Sequence, residues 1–439
     1  MNLLNLLSVF VIICWSFLIY TWIGYPLILF LLMRERLNRT SSQPESTGVL
    51  LVSKKNQFQS HVSSIENESY SRNTGNNLAT APIPCHFPTV SILLSAYNEE
   101  KHIDNRIRNL IELDYPQNKF SICIGIDGST DRTAEIAKNW VSKIQGLRVY
   151  AFNQRRGKIA VLRELVAQNR NDILIFTDAN TAFKPDALKK LVSHFQNPSV
   201  GGVCGRLLLL GEKEESFYWR MENHLKRMES SLDSCLGANG AIYAIRRHLF
   251  WSDIPDNTIV DDFVIGMKVR EQRKRVLYET EAVAEENLPS TAEEWGRRIR
   301  IGAGDYQALM LCRKCLLPSY KKFAWMFLSH KVFRWFTPQI LLTLFICSLA
   351  LLVNYFFSGD SHFYLFEIVA IFGGSLMVIV FLSALIGRLL KNVTFSAGKI
   401  LGFLRLCDHF FTMQVALFLG FIRFCRGNLR GYWKRTSRD

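Results

Sequence analysis

The chain has 439 residues, 49% of them hydrophobic, and its 53 Lys and Arg against 38 Asp and Glu give a formal charge of +15. That apolar and aromatic content excludes a disordered chain. Its concentration in blocks, with no charged residue among the first 33 and Phe- and Leu-rich runs after Trp335, excludes one uniform water-soluble globule.

Residues 3–33 are apolar throughout and long enough to cross a bilayer, for which about 20 residues suffice. No basic stretch precedes this run, and Arg34, Arg36 and Arg39 follow at once. It therefore reads as a retained span with its basic flank on the cytoplasmic side, not as a cleaved leader. Residues 1–36 are taken as a transmembrane anchor and residues 37–88 as a flexible polar linker, because 22 of the 51 residues 38–88 are Ser, Thr, Asn or Gln.

Residues 89–318 alternate short β-branched runs with amphipathic stretches. Strands are expected at 90–94, 122–126, 147–152 and 173–176, and helices around 103–113, 133–141 and 159–166. Such alternation implies right-handed crossovers and an α/β domain on a mostly parallel sheet. In residues 319–439 the chain returns to the membrane. The stretch 321–335 mixes Phe and Trp with Lys and Arg, as an interfacial helix does. Span candidates follow at 338–357 and 363–385, joined by a turn with Asp360, and a weaker one at 403–422 is interrupted by Arg405, Asp408 and His409. Three full spans would place the basic tail outside, so the last segment is expected to be partly interfacial or re-entrant.

The surplus charge is local. Residues 295–335 hold nine Lys and Arg with one Asp, and residues 423–439 hold six with one Asp. Cations beside apolar segments suit a membrane surface or an anionic ligand next to it, and no DNA or RNA recognition motif accompanies them. Ten cysteines make no disulfide framework in a chain this long, and Cys312 and Cys315 read as a reduced pair.

Ligands of an open parallel sheet bind outside the carboxyl ends of its strands. The first expected strand runs into Ser95-Ala96-Tyr97-Asn98-Glu99-Glu100, the second into Asp127-Gly128-Ser129-Thr130-Asp131, and the fourth into Asp178-Ala179-Asn180. Asp127-Gly128 can be a plain turn with Asp131 capping the next helix, and Asp178 and Asn180 can be ordinary loop residues. Together on successive strand ends, they describe a nucleotide site with a metal. A nucleoside diphosphate is a poor leaving group until its charge is neutralised, which Mg2+ or Mn2+ does through hard oxygen ligands. Asn180 offers a neutral oxygen where a second carboxylate would bind more strongly.

Arg155-Arg156-Gly157-Lys158 opens a helix, where cations and free amides suit a phosphate or a nucleotide edge, and where a solvated basic turn is equally common. Gly237-Ala238-Asn239-Gly240 either lets a sugar approach the backbone or makes a simple turn. Asp261 and Asp262 follow Val260 and precede a helix over 263–273, as caps or with one of them as a general base near an acceptor hydroxyl. Arg297, Arg298 and Arg300 lie on another helical stretch, to stabilise a departing diphosphate or to face lipid headgroups.

In this order the motifs resemble family 2 glycosyltransferases of the GT-A fold, and more closely their membrane-integrated branch with hyaluronan, cellulose and poly-N-acetylglucosamine synthases. The likeness covers residues 89–309, and Gly24-Tyr25-Pro26 and Trp433-Lys434-Arg435-Thr436 look like that branch too. It implies a Rossmann-like catalytic domain flanked by transmembrane helices. It also implies that Ala96, Tyr97 and Glu99 contact the nucleoside, that Asp127 binds the nucleotide and that Lys158 contacts it. Asp178 and Asn180 match the ends of the metal-binding Asp-x-Asp motif. Asp262 matches the catalytic base of a Thr-Glu-Asp motif that reads Val260-Asp261-Asp262 here, and Asn239 and Asp261 complete the substrate-binding set. Residues 297–301 lie where processive members carry Gln-x-x-Arg-Trp. Arg300 keeps the arginine, but Ile301 replaces the tryptophan that borders the acceptor sugar, so stacking is lost there.

The expectation is a membrane-bound inverting transferase that moves a sugar from a UDP-sugar to a glycan or lipid-linked acceptor. Its cofactor would be Mg2+ or Mn2+, and its catalytic domain would sit on the cytoplasmic side of the inner (plasma) membrane in a multi-pass chain. Polysaccharide-export partners are further candidates, and nucleic acid is not a partner. Ile301 and the few C-terminal spans favour a single transfer or short extension. Processive synthesis, transfer to a polyprenyl phosphate, and a membrane-tethered scaffold with a decayed site are the alternatives.

Overall fold

The computed structural model describes residues 3–41, 87–210, 217–287, 291–358, 365–390 and 398–429. Most of the linker, the Asp360 turn and Trp433-Lys434-Arg435-Thr436 lie outside the described residues.

The chain enters through α1 (Leu3–Ile19), a π-helical turn (Tyr20–Gly24) and α2 (Tyr25–Ser41). Pro26 has no amide to donate to the carbonyl four residues earlier, so the helix widens for a turn just ahead of it. Eight strands then build one sheet: β1 (Val90–Ala96), β2 (Phe120–Asp127), β3 (Leu147–Phe152), β4 (Ile173–Thr177), β5 (Thr181–Phe183), β6 (Val200–Leu210), β7 (Tyr243–Arg246) and β8 (Arg275–Asn287). Their order is β3-β2-β1-β4-β7-β6-β8-β5. The half with the strand-end motifs is parallel, as expected, since β1 pairs in parallel with β2 and β4, and β2 with β3. Beyond β4 the sheet is mixed: β7 runs against β4 and β6, β8 runs with β6, and β5 runs against β8.

Alternation along the central strands feeds two cores. Ile92, Leu94, Ile122, Ile124 and Ile175 face α3 (Ile103–Ile111) and α6 (Ala187–Ser193), while Leu93, Cys123, Leu174 and Phe176 face the opposite layer. That second layer holds α5 (Lys158–Ala167), α7 (Phe217–Leu232), α8 (Asp261–Glu271) and α9 (Thr291–Leu311); the short α4 (Thr133–Lys138) follows β2. Side chains of successive residues point to opposite faces of a strand, so strands apolar on both faces belong in the middle of such a sandwich.

After α9 come α10 (Lys322–Met326), a second π-helical turn (Phe327–Val332), α11 (Phe333–Trp335), α12 (Thr337–Ser358), α13 (Leu365–Leu389) and α14 (Gly398–Cys425). The expected interfacial helix over 321–335 is corrected in one respect. Its apolar residues Phe323, Met326 and Phe327 are fully buried against protein, and so is His330. A polar knot ties this stretch to the N-terminal helix: Tyr25 donates to Glu229 at 2.6 Å, Glu229 meets His330 at 2.5 Å, and Glu222 pairs with Arg334 and Lys331. Buried charges are tolerated when paired in this way.

Among the described residues, four helical stretches are long and apolar enough to cross a membrane: Asn5–Arg36, Thr337–Asn354, Ile371–Leu389 and Ile400–Cys425. The last, weakest from sequence, is one unbroken helix. Both its halves touch segments next to the catalytic domain, because Phe410 meets Trp22 while Phe421 and Phe424 meet Tyr306 of α9. Small residues allow α9 and α14 to approach: a Cβ at Gly420 would stand 2.7 Å from the Ala303 nitrogen. Gly420→Leu is therefore expected to part the two helices at a cost of ~1–3 kcal/mol. Thermal unfolding in detergent would show this as a melting point several degrees lower; an unchanged one would contradict the contact.

Candidate active site

The strand ends are built by short polar clasps. Asn98, at φ 53°, accepts the Thr130 amide at 2.8 Å and so joins the loops after β1 and β2. Asp131 accepts the Thr133 and Glu100 amides at 3.0 and 3.2 Å and so clasps the loops after β1 and β2, while the helix N-cap itself is Arg132 and not Asp131. Asp127 accepts the amides of Arg156 and Gly157 at 2.6 and 2.9 Å, thereby fixing the loop that opens α5. Gly128 sits at φ +65°, and a Cβ there would lie 2.6 Å from the Arg155 nitrogen, so only glycine fits. The clasped loop lays the Arg155 guanidinium 3.7 Å from the Tyr97 ring centroid.

These loops rim a cavity of about 400 Å³ outside the ends of β1, β2 and β4. Tyr97, Glu99, Asp127, Lys158, Asp178, Asn180, Asn239, Asp261, Asp262, Arg297 and Arg300 all line it. Two expected site residues do not belong to its lining. Ala96 is 1% exposed and packs in the core, because alternation along β1 turns its side chain inward. Arg298 is not part of the cavity lining and donates to Glu294 at 2.9 Å, one turn back on α9.

At the floor lies a cluster of one ammonium and three carboxylates. Lys158 Nζ donates to Asp178 at 3.0 Å and stands 3.3 Å from Asp261. Burial alone would lower the Lys158 pKa, but Asp178, Asp261 and Asp262 outweigh it and hold the amine charged. Burial, and then the neighbouring Asp261, push Asp262 up to about 6, with Lys158 opposing. Asp262 also accepts the Phe263 amide at 2.8 Å at the start of α8. Lys158 thus sits on carboxylates, where sequence reasoning placed it on a nucleotide; Asp178 lies 20 residues away and Asp261 more than a hundred, so no local pattern announces the cluster.

Asn239 donates to the Gly205 carbonyl at 2.7 Å and accepts the Ile242 amide, which pins the loop before β7. On α9, Arg297 pairs with Glu294 at 3.3 Å, and burial lowers the Arg300 pKa to about 10, Arg297 adding to the effect while Asp261 and Asp178 oppose it. Ile301 lines the wall beside them. Glu286 on β8, Trp219 on α7 and Asp305 on α9 are among the lining residues that escaped the sequence reading. All come from elements of the mixed half or its helices, where no strand-end motif marks them.

Asp178 and Asn180 fit a hard cation. Asn180 commits its amide nitrogen to Glu286 at 2.9 Å, which leaves its carbonyl oxygen as the available acceptor. Among the described residues, no group of three or more His, Cys, Asp or Glu converges on a metal position. Two protein oxygens, completed by phosphate and water, are the set Mg2+ ordinarily uses. Gly240 keeps the space open: a Cβ there would lie 3.2 Å from Asp178 Oδ2, 3.3 Å from Asp262 Oδ2 and 3.7 Å from Lys158 Nζ. Gly240→Ala is expected to keep the fold and weaken Mn2+-supported nucleotide binding on the order of ten-fold, a steric cost of about 1.4 kcal/mol. Titration calorimetry reads this directly, and unchanged binding would remove the space from the site.

The sequence profile described as Glycosyl transferase family 2 matches residues 91–253, and that of Glycosyl transferase family group 2 matches residues 173–387. Poly-beta-1,6-N-acetyl-D-glucosamine synthase of Staphylococcus epidermidis is 25% identical over 232 residues, 50% of this chain and 55% of that protein. Beta-monoglucosyldiacylglycerol synthase of Nostoc sp. is 30% identical over 243 residues, 50% of this chain and 49% of that protein. The chain thus spans about half the length of the curated relatives it matches. Among solved structures, the mannosyltransferase of Pyrobaculum calidifontis in complex with GDP-Man and Mn2+ superposes with a TM-score of 0.63 at 19% identity, over 96% of this chain and 99% of that one. At that identity the likeness establishes a shared fold.

Proposed function

Because the chain belongs to family 2 of the glycosyltransferases, we propose that it is a membrane-bound inverting enzyme that transfers a sugar from a UDP-sugar to a glycan or lipid-linked acceptor. The observation that carries this reading is Asp262, half-buried at the start of α8 in the same cavity as Asp178, Arg297 and Arg300.

Tyr97, Glu99 and Asp127 line the nucleoside end, Asp178 with Asn180 would hold Mg2+ or Mn2+, and Arg297 and Arg300 face the departing diphosphate. When bound, the cation neutralises charge on the leaving group. Asp262 takes the proton of the acceptor hydroxyl, whose oxygen attacks the anomeric carbon as the bond to the diphosphate breaks. A carboxylate with a pKa near 6 is ionised at neutral pH and a stronger base than an ordinary aspartate. Since the proton must be absent for Asp262 to act, kcat/KM is expected to fall on the acid side with an apparent pKa of about 6. A pH–rate profile flat down to pH 5 would contradict this.

Four apolar helices support a multi-pass membrane protein; Arg34 and Arg36, directly after the first span, support a catalytic domain on the cytoplasmic side of the inner (plasma) membrane. The contacts of α14 with Trp22 and Tyr306 support a last helix lying along the cytoplasmic face, which keeps the basic tail on that side. Ile301, lining the wall where processive enzymes carry tryptophan, favours one or a few transfers over a long polymer. The test is UDP release by purified protein across a panel of UDP-sugars, with and without Mn2+, and the mass of any product; no release from any donor would remove the reading.

A further inference from the structure

The geometry points to Asp305 as the residue that selects the acceptor, and to an uncharged hydroxyl, not a phosphate, as the group it selects. This rests on the transferase reading above and names the acceptor chemistry of the same cavity. Arg297, Ile301 and Asp305 are spaced four residues apart on α9, and all three line the cavity. Side chains at that spacing share one helix face. Eight residues put about 12 Å of helix between the first and the last. Along the face the chemistry passes from cation through an apolar step to carboxylate. Arg300, beside Arg297, interacts with Asp261 and Asp178, whereas the acidic neighbour of Asp305 is Asp262. The cationic end therefore serves the donor diphosphate, and the anionic end adjoins the base, where the acceptor must arrive.

Among the described residues, Asp305 makes no hydrogen bond or ion pair. Burial raises its pKa to about 7, with Lys331 opposing and Asp262 adding to the rise. Asp305 is half-buried, and its unpaired carboxyl lines the cavity as an acceptor to which a ligand can donate a hydrogen bond. Hydroxyl groups are the donors that a glycan or an uncharged lipid headgroup brings. A phosphate acceptor would meet Asp262 and Asp305 together and would give Asp262 no hydroxyl proton to take. Lys331, the cation nearest this end, is already paired with Glu222 at 3.4 Å. The adjoining turn of α9 packs on α14 at Gly302 and Ala303, so the Asp305 end is also the membrane end of the cavity.

Membranes containing the full-length protein and their own acceptors are labelled from whichever radioactive UDP-sugar the wild type consumes, and the extracted product is warmed in dilute acid. Sugar esterified to a phosphate is released under conditions that leave a glycoside intact. Label that is acid-stable, or released only as part of a larger glycan, is expected, and label released as the free monosaccharide would overturn the inference. With the acceptor so isolated, Asp305→Leu is expected to raise its KM by about ten-fold or more, the worth of one hydrogen bond, with the donor KM unchanged. Asp305→Asn, which keeps one acceptor oxygen, should recover part of that loss. A shift in donor KM with acceptor KM unmoved would overturn the assignment. Slow hydrolysis of the donor by water separates the two readings. It persists in Asp305→Leu if only the acceptor is affected, whereas a wild type that consumes no UDP-sugar contradicts the transferase reading itself.

Discussion

Asp262→Asn is expected to lower transfer by roughly 10²- to 10⁴-fold, the usual contribution of a positioned general base, while UDP and Mn2+ still bind. The amide keeps the shape of the side chain and can still accept the Phe263 amide that Asp262 accepts at 2.8 Å, so α8 should start where it does now. Stability should not suffer. Burial and Asp261 hold the Asp262 pKa above its ordinary 3.8, at about 6, so the folded protein binds that proton more tightly than the unfolded chain. Stability from this group is present below the unfolded value and declines as pH rises through the folded one. Replacing the carboxylate removes that decline, and an equal or slightly higher melting point above pH 6 is expected alongside the lost activity. Calorimetry with UDP, a turnover assay and thermal unfolding together distinguish this from misfolding. Retained turnover would remove Asp262 from the base position.

The second large effect belongs to Lys158. Its ammonium stands 3.0 Å from Asp178 and 3.3 Å from Asp261, with side-chain exposures of 16% for the lysine and 7% for Asp261. Lys158→Met leaves the buried Asp261 beside the part-exposed Asp178 and Asp262 without a counter-charge; breaking a buried pair costs about 3–5 kcal/mol, and solvent at Asp178 puts this one at the lower end. The remaining carboxylates would answer by binding protons, so the variant should be most unstable at alkaline pH and approach the wild type as pH falls. Transfer should be lost at every pH. Melting curves at pH 5 and pH 8 check this. A deficit of equal size at both would mean that the amine does not compensate the carboxylates.

What could be read from the chain alone follows the physics of each element. β1 to β4 are apolar runs closed by turn residues, and their expected spans fall inside or on the observed ones. β6 and β8 were not legible. β6 opens Val200-Gly201-Gly202, and a Cβ at Gly201 would lie 2.5 Å from Lys274, so close packing demands the glycine that hides the strand. β8 carries Glu279, Glu281, Glu285 and Glu286 and reads as polar surface. Strand-end residues of the parallel half were legible as cavity-lining residues because position in such a sheet places their side chains at the cleft outside the strand ends. Asp127 was legible as lining the cleft while its clasp on the Arg156 and Gly157 amides was not, since that partner lies a whole β-strand away. Asp305 and Trp219 reach the cavity from helices whose sequence pattern gives only amphipathic packing.

The anomeric configuration of the product reports directly on the role of Asp262. Asp262 can deprotonate the acceptor only for an in-line displacement on the face opposite the diphosphate, so an α-linked UDP-sugar should give a β-linked product by proton NMR, with one UDP released per linkage. An α-linked product would contradict the account, and so would a wild-type protein that releases no UDP from any donor.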